Sequence, residues 1–123
     1  MRLRYDAGRE AFGQARLNWP QDDIVAYLVS DAYRPRASHK FAESLIGIIA
    51  GPESLQKRSI DDGYAKADAV LFPRVHGEKD AVGLVVARRD SVLIAYSDEI
   101  EDFPMRLNGS DILVSFEPHL FRI

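Results

Sequence analysis

A chain of 123 residues and 13.8 kDa has the length of one domain, burying about two-thirds of its unfolded surface and needing neither metal nor disulfide to hold a core. It has no cysteine, which excludes disulfides, thiolate nucleophiles and cysteine-based zinc or iron–sulfur sites. Sixteen basic against nineteen acidic residues leave a net charge of −3, and a chain without a concentrated basic face is not expected to take nucleic acid as its main partner.

The opening residues, Met1 to Asp6, lack the apolar core of a signal peptide. No run approaches the roughly 18 consecutive apolar residues that span a bilayer. A soluble protein made in the cytoplasm, with no membrane partner, is therefore expected. Ala7 to Leu17 suits a turn or a short helix weakened by Gly8 and Gly13, followed by a strand at Leu17-Asn18-Trp19 that Pro20 stops. Asp22 to Ser30, with its β-branched and aromatic centre, predicts a strand buried on at least one face. From Tyr33 to Pro52 the pattern changes. Phe41, Leu45 and Ile48 share a helical stripe behind the polar residues Ser38, Lys40 and Glu43, while Gly47 and Gly51-Pro52 would end it, so a long connection carrying one short helix is expected.

Residues 53 to 123 read as short apolar or alternating runs cut every eight to twelve residues by turn chemistry. The runs are Arg58 to Ile60, Ala69 to Phe72, Val82 to Ala87, Val92 to Tyr96 and Asp111 to Phe116. Asp61-Asp62-Gly63, Pro73, His76-Gly77, Arg88 to Asp90 and Asn108-Gly109 separate them. This pattern predicts a mainly β chain, a single-domain β sandwich or jelly roll over residues 1–123 with one or two short helices in the connections. Asn108-Gly109 predicts a type I′ hairpin turn.

No catalytic motif emerges. The chain has no threonine, no Gly-x-Ser-x-Gly elbow, no Gly-x-Gly and no Gly-Lys-Ser/Thr. The neighbouring pairs Asp22/Asp23 and Asp61/Asp62 point to opposite faces of a strand and suit turn caps and edge protection better than acid–base work. Of His39, His76 and His119, His39 has a carboxylate four residues on, Glu43, in the stretch read as a short helix; exposed polar side chains are the better reading of both. The expectation is a protein that is not an enzyme, with no cofactor and no metal.

Trp19, Tyr27, Phe72, Tyr96 and Phe116 fall in or beside predicted strands and suit a core. Tyr33, Phe103 and Phe121 fall in loops or at the terminus, and with Arg34 and Arg36 they are the predicted protein-interface anchors, since exposed aromatics and arginine are enriched at binding hot spots. The acidic run Asp98, Glu99, Glu101, Asp102 reads as a solvated loop or as a docking patch for a basic partner. Leu120 to Ile123, with no polar tail, predicts a terminus tied down to the fold.

One ordering of residues carries a resemblance across most of the chain. It comprises Phe12-Gly13, Leu17-Asn18-Trp19, Asp22-x-Ile24-x-x-x-Leu28-Val29, Tyr33, His39-x-Phe41, Phe72 with Val75, Leu93 to Tyr96 with Asp98, Pro104, Asp111-Ile112-x-Val114 and Phe121-Arg122-Ile123. This order resembles small structural proteins of tailed-bacteriophage heads, above all capsid decoration or cement proteins. Gly51 to Lys66 departs from it, being shorter and more charged. The resemblance implies a virion protein on the outside of the assembled shell that clamps subunits of the major capsid protein and stands there as a dimer or trimer. A neck or tail protein of such a virion, and a small-ligand-binding β barrel, are the alternatives; the last requires an apolar cavity with convergent polar groups.

Overall fold

In the computed structural model, which describes residues 1–100, 103–116 and 120–122, Ile24–Val29 forms a strand buried along its whole length. The run Ile-Val-Ala-Tyr-Leu-Val has no polar position because both of its faces are covered. Ile24, Ala26 and Leu28 join one apolar cluster, and Val25, Tyr27 and Val29 join the other.

In chain order the elements are β1 (Arg2–Arg4), α1 (Asp6–Gly13), β2 (Ile24–Val29), β3 (Ile48–Ser54), β4 (Ser59–Asp61), β5 (Tyr64–Lys66), β6 (Val70–Phe72), β7 (Gly83–Arg88), β8 (Leu93–Ser97), β9 (Ile112–Val114) and β10 (Phe121–Arg122). A five-stranded antiparallel sheet runs β1-β8-β7-β2-β3; a three-stranded sheet runs β10-β5-β4; β6 pairs with β9. The fold is mainly β and sandwich-like. The larger core, built on Trp19, Leu55, Phe72, Leu84, Ile94 and Phe116, joins one face of the main sheet to residues of the smaller sheets. On the other face Tyr5, Tyr33, Ala42 and Leu45 cover Val25, Val85 and Leu93. Among the described residues no helix is long and apolar enough to cross a membrane.

The predicted runs after residue 57 become β4, β6, β7, β8 and β9 within a residue or two, and Asp61-Asp62-Gly63 turns the β4–β5 hairpin with positive φ at Asp62 and Gly63 (52° and 81°), the type I′ geometry that Asp-Gly suits. β10 pairs Phe121 with Ala65 and Arg122 with Tyr64, which ties residues 121–122 to the fold.

Four expectations are corrected. Leu17-Asn18-Trp19 is no strand. The Asn18 carbonyl accepts from the Asp22 and Gln21 amides at 2.8 and 3.2 Å, and the Asp22 carboxylate accepts from the Asn18 amide at 2.9 Å, closing a turn that drops Trp19 into the core. The helix expected around residues 38–48 shrinks to a 3-10 turn at Ala42–Ser44, and Ile48 opens β3. Phe41 and Ile48 are exposed rather than sharing a buried stripe with Leu45. Gly51-Pro52, read as a helix stop, instead sits at a register shift opposite Tyr27, where Gly51 takes φ of +105° and packs so closely that a Cβ there would stand 2.5 Å from the Ala26 oxygen. Asn108-Gly109 turns without joining adjacent strands. Only Gly109 takes positive φ, and the turn is closed on residue 75, Gly109 donating to the Val75 carbonyl at 2.9 Å and the Val75 amide to Ser110 at 3.0 Å.

Arg58 fastens the Trp19 turn from outside. Its Nε donates to the Trp19 carbonyl at 2.8 Å, and its Nη groups reach the carbonyls of Leu55, Asp22 and, at 3.4 Å, Pro20. A planar fork with five donors does this; an ammonium does not. Arg58→Lys should therefore lose nearly as much as Arg58→Met, about 1.5–3 kcal/mol in urea unfolding, and the loss should persist at high salt because the acceptors are neutral carbonyls.

Candidate functional site

Two concavities are built from the five-stranded sheet and its covering segments. The larger, about 630 Å³, lies where β1, β7 and β8 meet β9, β10 and the residues beside them. Leu84, Val86 and Ala95 come from the main sheet, and Val114, Phe116, Leu120 and Phe121 come from the opposite side. Arg2, Arg4 and Arg122 line it as well, with Glu99. Its size lies within the range of about 300–1,000 Å³ typical of small-molecule sites.

Arg4 stands out there. Period-two alternation in Arg2-Leu3-Arg4 places Arg2 and Arg4 on one face of β1. The Arg4 guanidinium stacks 4.3 Å from the Phe121 ring centroid and 5.7 Å from that of Phe12, and one of its Nη groups donates to the Arg122 carbonyl. Burial, with Arg9 repelling it, lowers the guanidinium pKa from its ordinary value, yet an arginine stays charged. Among the described residues Arg4 Nε is the buried side-chain nitrogen or oxygen without a hydrogen-bond partner.

The other concavity is a shallower depression of about 370 Å³ formed by Ala32, Tyr33, Arg34, His39, Ser44 and Ile46. Its floor is a hydrogen-bonded chain. The Tyr5 and Tyr33 hydroxyls lie 2.6 Å apart, and the Tyr33 hydroxyl lies 3.0 Å from His39 Nδ1. Assigning Tyr5 as donor to Tyr33, and Tyr33 as donor to the imidazole, satisfies each hydroxyl proton. Tyr96 packs edge-on to Tyr33, with centroids 6.1 Å apart, and donates to Asp98 at 3.4 Å.

Burial lifts all three phenols. Tyr5 is raised most, by desolvation and then its bond to Tyr33; Tyr33 is raised by desolvation against a lowering pull from Tyr5; Tyr96 is pushed up to about 12 by desolvation and then by Asp98. Because a raised phenol keeps its proton in the fold after the unfolded chain has lost it at about pH 10, stability is full below that pH and falls above it. Urea midpoints measured from pH 9 to 11 should drop, by about 1.4 kcal/mol per pH unit for each tyrosine still protonated in the fold. Tyr5→Phe should flatten that decline.

The predicted anchors divide between these two places. Tyr33 and Phe121, expected on the surface, are core residues at 5% and 9% exposure. The reason is the same for both: a covering segment needs an apolar side chain beneath it. Tyr33 covers the tyrosine face of the main sheet, and Phe121 meets Trp19 edge-on at 5.3 Å. Arg34 and Arg36 are exposed, and neither makes an ion pair among the described residues. Phe103 is half-buried against the larger core. Asp98 and Glu99 both hold the Met1 amino group, Glu99 at 2.8 Å, while Glu101 and Asp102 lie outside the described residues.

His39 faces Tyr33 and precedes the 3-10 turn, so the helical spacing to Glu43 does not exist. Among the described residues no three His, Asp or Glu side chains converge as a metal would require. Arg4 and Arg58 escaped the sequence reading because a lone arginine carries no signal of what packs over it. No family model, curated protein or solved structure matches the chain.

Proposed function

We propose that this chain is a virion structural protein, a decoration or cement protein that binds the outside of an assembled capsid and bridges subunits of the major capsid protein. The observation that carries the reading is the surface around the smaller depression. Phe41, Ile46 and Ile48 expose 47%, 61% and 43% of their area within eight residues of one another, and Ile46 shares the depression with Arg34. The segment is fixed: Ala42 donates to the Ser91 carbonyl, Leu93 to Lys40, and Ser30 to Gly47, all at 2.8–2.9 Å. Large apolar side chains held in place beside an arginine that makes no ion pair among the described residues are the composition of an interface anchor. Contacts of this size gain strength by repetition across a lattice.

Under this reading the residues of the phage-head ordering form a rigid scaffold for the docking surface. Trp19, Leu28, Phe72, Tyr96 and Phe121 are core, and buried Tyr33 is hydrogen-bonded to the half-buried His39. A cement protein stabilises the shell by binding its assembled state in preference to free subunits.

The test is copy number in purified particles, by quantitative mass spectrometry against the major shell protein. A ratio of about one to one or one to two supports cement, about six or twelve copies per particle marks a neck or tail ring instead, and absence overturns the reading. On shells stripped of the protein, Arg34→Glu with Ile46→Glu should bind about a hundredfold more weakly, with unchanged circular dichroism because both side chains are exposed.

A further inference from the structure

We propose that the 630 Å³ groove is a binding site for an amphipathic anion, an alkyl carboxylate whose chain lies along Leu84, Val86 and Phe116 and whose carboxylate pairs with Arg4. The site is independent of the docking surface around Ile46.

Arg4 fixes the sign of the ligand. A half-buried cation ordinarily sits against a carboxylate, because desolvation is offset by a charged partner. Arg4 has none among the described residues; two ring faces and one carbonyl are what it touches. Its Nε is dry and without an acceptor, and a buried donor left so is costly. Arg2 and Arg122 line the same groove, and the acid beside them, Glu99, is already paired with the Met1 amino group. A cation is repelled by this set, and a neutral apolar molecule would desolvate the Arg4 guanidinium further while offering it no charge. A carboxylate offers the two-oxygen acceptor that a guanidinium fork fits.

The walls fix the rest of the ligand. Leu84, Val86, Val114, Phe116 and Leu120 present an apolar lining, which a small hydrophilic anion leaves in contact with water. An alkyl chain removes that area from water, at about 25 cal/mol per Å². The stacked Phe121 ring presents the guanidinium as a flat plate at 4.3 Å, pre-arranged before ligand arrives.

The experiment is isothermal titration calorimetry of the full chain with dodecanoate, kept below its micellar concentration, and with dodecanol and dodecyltrimethylammonium for comparison. Dodecanoate should bind one to one, dodecanol at least about tenfold more weakly, and the cation not at all. Arg4→Gln should weaken dodecanoate at least about tenfold and leave dodecanol unchanged. Leu113 is 64% exposed on the groove wall, so Leu113→Glu tests the same charge logic at a position where the fold tolerates substitution, and it too should weaken dodecanoate. Absence of dodecanoate binding up to about 1 mM, equal affinity for acid and alcohol, or unchanged dodecanoate affinity in Leu113→Glu would each overturn the proposal.

Discussion

Trp19→Ala should lower the free energy of unfolding by about 3–5 kcal/mol, a large share of the roughly 5–15 kcal/mol that a domain of this size possesses. Trp19 is completely buried. Its indole fills the space between the turn at residues 18–22 and the strands β5 and β10, donating Nε1–H to the Lys66 carbonyl at 3.1 Å and meeting Phe121 edge-on at 5.3 Å. Truncation leaves a cavity and an orphaned carbonyl together. Trp19→Phe keeps much of the volume and loses the hydrogen bond, so its cost should be about 1–2 kcal/mol. Because Phe121 is also the ring under Arg4, Trp19→Ala and Phe121→Ala should be non-additive, with a coupling of about 0.5–1.5 kcal/mol. Far-ultraviolet circular dichroism in urea measures all three. Additivity of the pair would show that Phe121 holds its place without the indole.

The strands that reported themselves in the sequence are those whose faces are decided locally. β2, β7 and β8 are runs of Val, Leu, Ile, Ala and Tyr long enough to exceed any competing pattern, and both faces of each are buried. β1, β3 and β5 were invisible for a common reason. Arg2-Leu3-Arg4 and Tyr64-Ala65-Lys66 are three-residue strands too short to carry a pattern of their own, β1 being held by the distant Tyr96 opposite Leu3 and β5, beyond its hairpin partner β4, by the distant Phe121 opposite Ala65, and β3 contains Gly51-Pro52, which reads as a break unless the bulge against Tyr27 is known.

The site divides in the same way. Arg34 was legible as an exposed arginine beside an aromatic, whereas Tyr33 and Phe121 were placed outside because a loop aromatic looks exposed until the layer it covers is seen. Arg4 gains its meaning from Phe121 and Phe12, at the far end of the chain and on α1, and no spacing rule joins these three. Phe41, Leu45 and Ile48 read as one helical stripe because their spacing is helical; Gly47, with φ of +69° and its carbonyl bonded to Ser30, turns the chain out of that path and leaves Phe41 and Ile48 exposed while Leu45 is buried.

Gly8→Val should cost about 3 kcal/mol or more, although it sits in a helix where replacing glycine with alanine normally gains about 1 kcal/mol. The close approach decides which effect wins. α1 lies directly on β8, and a Cβ at Gly8 would stand 2.6 Å from the Leu93 carbonyl oxygen and 2.9 Å from Ile94 Cα. Both are backbone atoms of a strand hydrogen-bonded on its two sides, to β1 and β7, so neither can turn away as a side-chain tip would. The helix must lift instead, against the Tyr5 amide that donates to the Ile94 carbonyl at 3.1 Å and against buried Ala11. Gly13 is the control, since at the other end of α1 nothing lies within 4 Å of its Cβ position. Gly13→Ala should be neutral to stabilising by up to about 1 kcal/mol. Opposite signs for these two substitutions in urea unfolding would establish contact with β8 as the constraint on α1; a gain at both positions would mean that the helix rides free of the strand. The lift also has a functional reading. β8 carries Tyr96 of the tyrosine cluster and Ala95 of the groove, and Arg4 and Tyr5 immediately precede α1. A chain bearing Gly8→Ala, folded but displaced, should therefore show both a flatter loss of stability above pH 10 and weaker dodecanoate binding, because one helix position fixes the distance between the two sites and the sheet that supports them.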